Sequence, residues 1–310
     1  MESTQSEFQE ISVIETYFGK TLVTDGKTQS AQFDEFSYHE SLVHPSMLNY
    51  FHQSGGGQAR KVLIGGGGEL ATAREVLRHT SVEKVVMVDL DKVVIDVCVK
   101  HLPEWGGETV MNDPRFELIV GDAYKYLLET EEVFDVIIMD ISDPIEAGPG
   151  IMLYTKELYE HAKTRLSPNG VFVTQAGTAD AVPSPHSVNN QQQDTTCFAP
   201  IRNTLAEVFE CVCPYTTGIP SFGGDWGFVM AFKATDDGKV NASEQAERWS
   251  TIQPERIDQL IEETIKGGES SLGLYDGITH HRMFALTKAV RKQLASDKRI
   301  MTKDNPVFMY

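Results

Sequence analysis

The sequence predicts an α/β protein, a doubly wound sheet preceded by a small N-terminal β domain. Three observations predict it: apolar strand segments alternate with helical ones from Lys61 to Phe209, a run of glycines follows the first of those strands, and an acid stands at the end of strand after strand.

From Phe8 to Gln29 the pattern is strand, turn, strand: EISVIET alternates in polarity, FGKTLV follows, and Asp25-Gly26 is a hairpin signal. Between Gln32 and Phe51, the residues Phe36, Leu42, Val43, Met47 and Phe51 approximate helical spacing, with Pro45 expected to break or kink the helix. Gly55 to Gly57 read as a flexible hinge, which places a β domain with its connecting helix at 1–58 and the main domain at 59–310.

Beyond the hinge, KVLI leads through Gly65–Gly68 into a helix from Glu69, and KVVMVD into a helix from Asp91 to His101. RFELIV precedes a helix at Asp122–Glu129, FDVIIMD one at Tyr154–Leu166, and GVFVTQ one at Cys197–Phe209. CVCPYTTG and WGFVMAF have no helix between them, so an antiparallel hairpin is expected to close the sheet edge. Thr178–Thr196, rich in Pro, Ser, Asn and Gln, reads as a loop that follows a strand end and can cover a site, and 234–250 reads as polar surface.

At 310 residues and 41% hydrophobic content the chain can bury a sizeable core without staples. No stretch has the apolar length of a bilayer span, and MESTQSEFQE is acidic where a secretory leader is basic and then apolar, so no membrane partner and a cytoplasmic location are expected. Cys98, Cys197, Cys211 and Cys213 form no CxxC pair and no zinc spacing; they are expected to be reduced and packed, with Cys211 and Cys213 on one strand face. A formal charge of −18 argues against nucleic acid and fits a cationic substrate, although solubility alone accounts for the bulk of that charge.

In an open α/β sheet the ligand sits beyond the carboxyl ends of the strands. Those ends carry Glu69, Asp89, Asp122, Asp140 and Gln175. A lone Asp there is commonly only a helix cap, and Asp122 suits that role, but four acids in register point to a site. Asp89 suits ribose hydroxyls, and Asp122 with Ala123 the adenine edge. Glu69, at the mouth of a helix, suits a cation better than a phosphate, and Leu70 stands where the dinucleotide fingerprint needs its third glycine. Asp140 and Asp143 can hold and deprotonate an amine; with no His nearby a metal is the second reading, and none is expected.

These residues resemble the aminopropyltransferases, the spermidine, spermine and thermospermine synthases. The resemblance rests on LVTDGKTQ, DEFSYHE, GGGGEL with ARE, VDLD, GDA, MDISDP and YTTGIPSFGGDWGF, in that order between Glu7 and Ala231. GGGGE, DPIEAGPGIMLYTKELY, VTQAG and PSFGGDWGF look most like thermospermine synthases. What this implies is a Rossmann-like, class I methyltransferase-like catalytic domain that moves the aminopropyl group of decarboxylated S-adenosylmethionine to a polyamine. Spermidine would give thermospermine, with 5′-methylthioadenosine released; spermidine and spermine synthesis are the alternatives. The resemblance implies no cofactor, since the sulfonium donor is a co-substrate, and a homodimer or tetramer assembled through the N-terminal β unit.

By position, the resemblance implies donor contacts from Gln9, Glu69, Asp89, Asp122 and Ala123, catalysis by Asp140 with Tyr38, and acceptor contacts or orientation from His39, Asp143 and Tyr215. Outside the family, a non-catalytic polyamine-binding protein stays open. An S-adenosylmethionine-dependent methyltransferase is disfavoured, because its cofactor's carboxylate would meet Glu69, a repulsion of about 4 kcal/mol at about 4 Å and an effective dielectric of about 20. A dehydrogenase is weaker still, since nothing here suits a pyrophosphate.

Overall fold

The computed structural model describes residues 2–146, 148, 150–179, 196–234 and 241–309, so most of the loop expected at 178–196 lies outside the described residues. The chain opens with strands β1 (Glu2–Gln5), β2 (Glu10–Thr16), β3 (Gly19–Thr24) and β4 (Lys27–Ala31), an antiparallel sheet in the order β1-β2-β3-β4. Asp25 and Gly26, both with positive φ, make the β3–β4 turn that the Asp-Gly pair announces.

Helix α1 (Glu35–Gln53) then runs unbroken through Pro45, against expectation. Proline has no N–H for the carbonyl four residues back, here that of Ser41. The Tyr215 hydroxyl donates to that carbonyl instead, at 3.0 Å, so the helix continues without an orphaned acceptor.

The second sheet alternates with helices: β5 (Lys61–Gly66), α2 (Ala71–Arg78), β6 (Lys84–Asp89), α3 (Lys92–His101), α4 (Gly107–Met111), β7 (Phe116–Val120), α5 (Ala123–Glu129) and β8 (Phe134–Asp140). It continues with α6 (Lys156–Thr164), β9 (Leu166–Thr178), α7 (Phe198–Ala206), β10 (Cys211–Ile219) and β11 (Gly224–Phe232). Its seven strands lie in the order β10-β11-β9-β8-β5-β6-β7. Strands β9, β8, β5, β6 and β7 are parallel, and β10 with β11 forms the expected antiparallel edge hairpin. This is the Rossmann-like doubly wound sheet, with its order reversing beside β5, where such folds open a crevice at the strand ends.

Period-two alternation divides the core. Val62, Ile64, Val85, Met87, Val136 and Ile138 pack on one face with α1, α2 and the later helices α8 (Ala242–Ser250), α9 (Pro254–Thr264) and α10 (Gly277–Phe284). Leu63, Val86, Ile137 and Phe172 face α5, α6, α7 and α11 (Lys288–Ser296) on the other. The stretch read as polar surface before Ser250 includes α8, whose Trp249 is buried. All four cysteines are buried and outside any disulfide, and Cys211 and Cys213 share a face. Ile11, Val13 and Leu22 pack with Val94, Val97, Cys98 and Trp105, which seats the N-terminal sheet on α3. Among the described residues no helix is long and apolar enough to cross a membrane.

Candidate active site

A cavity of about 300 Å³ opens beyond the carboxyl ends of β5, β6 and β8, with β3 and β4 contributing the opposite wall. Gln9, Tyr38, Glu69, Asp89, Asp122, Ala123, Asp140 and Asp143 all line it; His39 and Tyr215 do not.

The glycine turn is shaped by the chain's own acids. A Cβ on Gly66 would come to 2.1 Å from the Asp140 carbonyl oxygen, and one on Gly68 to 2.9 Å from Asp89 Oδ2. Bare backbone at β5 therefore lets the ends of β8 and β6 close in, and the turn gathers the acids as much as it admits a ligand. The helix expected from Glu69 begins instead at Ala71, because Leu70 takes a left-handed conformation (φ 74°) that a helix cannot include.

Glu69 is held from two sides: its Oε1 accepts from His39 Nε2 at 2.6 Å and its Oε2 from Ser30 Oγ of β4 at 3.1 Å. His39 Nδ1 lies 2.9 Å from Glu35 Oε2. Carboxylates only accept, so both ring nitrogens carry hydrogen and His39 is an imidazolium. Burial opposes that charge, but the hydrogen bonds to Glu35 and Glu69 raise its pKa to about 10. Burial, helped by the charge of Asp140, pushes Glu69 above the usual carboxylate range despite His39. His39 thus orients the site through Glu69 and makes no contact with the cavity.

Asp89 Oδ1 accepts from the Asp91 backbone N–H at 2.8 Å; burial, reinforced by the Asp91 charge, raises Asp89 to about 6. Asp91 in turn binds Ser6 Oγ at 2.6 Å and Gln9 Nε2 at 3.2 Å, which ties the N-terminal segment to the cavity rim. Asp122 is exposed and caps α5, accepting from Tyr124 N at 2.8 Å, while it also faces the cavity beside buried Ala123.

Asp140 ends β8 with both carboxylate oxygens engaged, Oδ1 by the Tyr38 hydroxyl at 2.7 Å and Oδ2 by Thr72 Oγ1 at 2.5 Å. Burial and the neighbouring Asp140 hold the Tyr38 phenol well above its ordinary pKa, so it stays a donor. Asp143, raised by burial, accepts from Gln175 Nε2 at 3.2 Å. Beside them Phe222 and Trp226 line the cavity with ring centroids 4.7 Å apart, and Phe222 sits edge-on to Tyr38 at 5.8 Å.

Tyr215 is corrected by the structure. It is fully buried, stacked on Phe228 at 5.5 Å, with its hydroxyl committed to Ser41. It sits on the outermost strand, faces α1 and lies outside the cavity lining, where its hydroxyl serves the proline-containing helix. Thr72, Ser30 and Glu35 escape the sequence reading. Thr72 follows Glu69 into the first turn of α2, a place where a hydroxyl meets the neighbouring strand end; Ser30 has no local signal. Among the described residues no cluster of His, Cys, Asp or Glu is arranged to hold a metal ion.

Comparison with known proteins gives a concordant picture. A family model described as the spermine/spermidine synthase domain matches residues 35–242. A polyamine aminopropyltransferase of Sulfolobus acidocaldarius is 41% identical over 98% of this chain and 89% of its own. Thermospermine synthase ACAULIS5 of Arabidopsis thaliana is 38% identical over 98% of this chain and 80% of its own. A crystal structure of a spermidine synthase in complex with the transition-state analogue AdoDATO superposes with a TM-score of 0.75 at 28% identity, covering 95% of this chain and 88% of that one. The chain belongs to the spermine/spermidine synthase family and is an aminopropyltransferase.

Proposed function

We propose that this aminopropyltransferase uses decarboxylated S-adenosylmethionine as donor and spermidine as acceptor, giving thermospermine and 5′-methylthioadenosine. The observation that carries the reading is the placement of Asp140, braced by Tyr38 and Thr72, in the same cavity as Glu69 and Asp89. Asp89 would accept the ribose hydroxyls, the Asp122–Ala123 edge would meet the adenine, and Glu69 would hold the donor's amine.

The acceptor's nitrogen lone pair forms a bond to the aminopropyl carbon next to sulfur. The carbon–sulfur bond breaks, its electron pair neutralises the sulfonium as a thioether, and the proton on nitrogen passes to Asp140. A primary ammonium, whose pKa in water is about 10.4, has no lone pair at neutral pH, so a base at the attacking nitrogen is required. Tyr38, kept protonated, orients Asp140 and does not compete with it for the proton. No cofactor takes part, because the sulfonium supplies its own leaving group.

Spermidine as acceptor is favoured by the motifs shared with thermospermine synthases and by the aromatic pair Phe222 and Trp226, which offers apolar walls to methylenes and ring faces to an internal ammonium. Tyr17 and Phe33, 97% and 62% exposed on and beside the N-terminal sheet, favour assembly of copies of the chain there. Four buried cysteines outside any disulfide suit a cytoplasmic setting. Incubation with the donor and each of putrescine, spermidine and spermine, with products resolved by chromatography, tests the reading. Methylthioadenosine and thermospermine are expected from spermidine; absence of methylthioadenosine with every amine defeats the proposal, and a spermidine product from putrescine defeats the choice of acceptor.

A further inference from the structure

The loop that follows Asp140 is held from behind by a segment outside the matched family model, which ends at residue 242. The segment starts at Met301, whose N–H donates to Thr204 Oγ1 at 2.8 Å, and passes the Cys197 thiol, which donates to the Val307 carbonyl at 3.7 Å. At its far end the Met309 N–H donates to the Pro144 carbonyl at 2.8 Å. Pro144 is buried, so its carbonyl needs such a partner.

The Met309 side chain lies close by. A Cβ built on Gly177 would stand 2.9 Å from Met309 Sδ and 3.5 Å from Asp143 Oδ1, so thioether and carboxylate flank the same point at the end of β9. Val307 and Met309 pack on the core that contains Leu153, Tyr154 and Ala176. From the other side Gln175 Nε2 donates to Asp143 Oδ1 and the Tyr154 hydroxyl to the Ser142 carbonyl, at 3.2 and 3.1 Å. The Asp143–Pro144 turn is clamped between these two supports.

We infer that Val307–Met309 is a positioning element for the acceptor subsite, fixing the Asp143–Pro144 turn and so setting how tightly a long cationic amine is held. It touches no reacting atom. A carboxylate held in place in a half-buried pocket grips an ammonium more tightly than one that must first be ordered. The inference rests on the reading of Asp143 as an acceptor anchor.

Met309→Pro in the full chain removes the N–H that Pro144 accepts from, while Met309→Leu keeps it along with comparable bulk. The KM for spermidine is expected to rise about tenfold in Met309→Pro, the scale on which leaving the buried Pro144 carbonyl without its donor loosens the turn. The kcat at saturating amine and the KM for the donor should stay at parent values, and Met309→Leu should behave as the parent. An unchanged spermidine KM overturns the inference; so does an equal rise in donor KM, which marks general loosening. If melting curves show that Met309→Pro does not fold, Met309→Ala decides, because it keeps the N–H but removes the side-chain bulk that stands beside Gly177 and Asp143: a smaller rise in spermidine KM with donor KM at the parent value is expected, and an unchanged spermidine KM overturns the inference. A parent chain that turns over no amine defeats the reading of the site itself, whereas an active parent with indifferent variants defeats the inference alone.

Discussion

Glu69 and Glu75 leave the same short stretch of chain and are both largely withdrawn from water, yet their surroundings shift them in opposite directions. Glu75, 1% exposed, meets Arg74 Nε at 2.8 Å, Arg78 Nε at 2.9 Å and His44 Nε2 at 3.3 Å. Burial alone would raise it, but the contact with His44 and the guanidinium charges of Arg74 and Arg78 hold it well below the usual carboxylate range. Around the cavity the balance reverses: burial raises Glu69, Asp89 and Asp143, and the acids crowd one another. The interior set brings its own counter-charges and is part of the scaffold. The cavity set is short of them, which is the condition for receiving a cationic ligand. His39 belongs to both, since Glu35, its partner away from the cavity, also pairs with Arg74 at 2.9 Å.

The largest effect expected from breaking this contrast is on turnover. Asp140→Asn keeps the hydrogen-bonding shape and removes the proposed base, so kcat should fall by about 10² to 10⁴ while methylthioadenosine still binds in calorimetry. Retained turnover would remove Asp140 from the chemistry.

Stability sharpens the contrast. Glu75→Gln leaves Arg78 without its carboxylate partner and Arg74 with Glu35 alone, and should cost about 3–5 kcal/mol in denaturant unfolding. Asp89→Asn should do the opposite above pH 6. The sign follows from its raised pKa: the stability Asp89 contributes in its protonated form is present below its ordinary value and is lost as pH rises through about 6. The melting temperature of Asp89→Asn should therefore draw level with the parent, and then exceed it, as pH rises through that window. Equal losses in the two variants at pH 8 would show the two sets of acids to be alike.

The smallest effect concerns the residue that changed role. Tyr215→Phe leaves the Ser41 carbonyl opposite Pro45 without a partner and should cost about 1–3 kcal/mol of stability, with the KM for spermidine unaltered. A raised KM with no loss of stability would return Tyr215 to the acceptor site.

Much of the fold is legible in local pattern. FDVIIMD reads as a strand and is β8 over the same residues, and Asp-Gly marks the β3–β4 turn. The strand-end acids are legible too, because the ends of parallel strands in such a sheet face one crevice. Pro45 and Tyr215 mislead when read singly, since each makes sense only through the other. What joins them is a hydrogen bond from Tyr215 to Ser41 across 174 positions, which no window of sequence contains.

The sequence by itself therefore determined the alternation of strand and helix and the list of acids at the strand ends, because side-chain periodicity and helix-start chemistry act over a few residues. Tertiary packing alone decided how those acids are held: Tyr38 reaches Asp140 across 102 positions, Ser30 reaches Glu69 across 39, and His39 carries its charge only because Glu35 and Glu69 stand on either side of its ring. Hydrogen bonding and protonation depend on distance in space and on exclusion of water, and both are set when the elements close on one another.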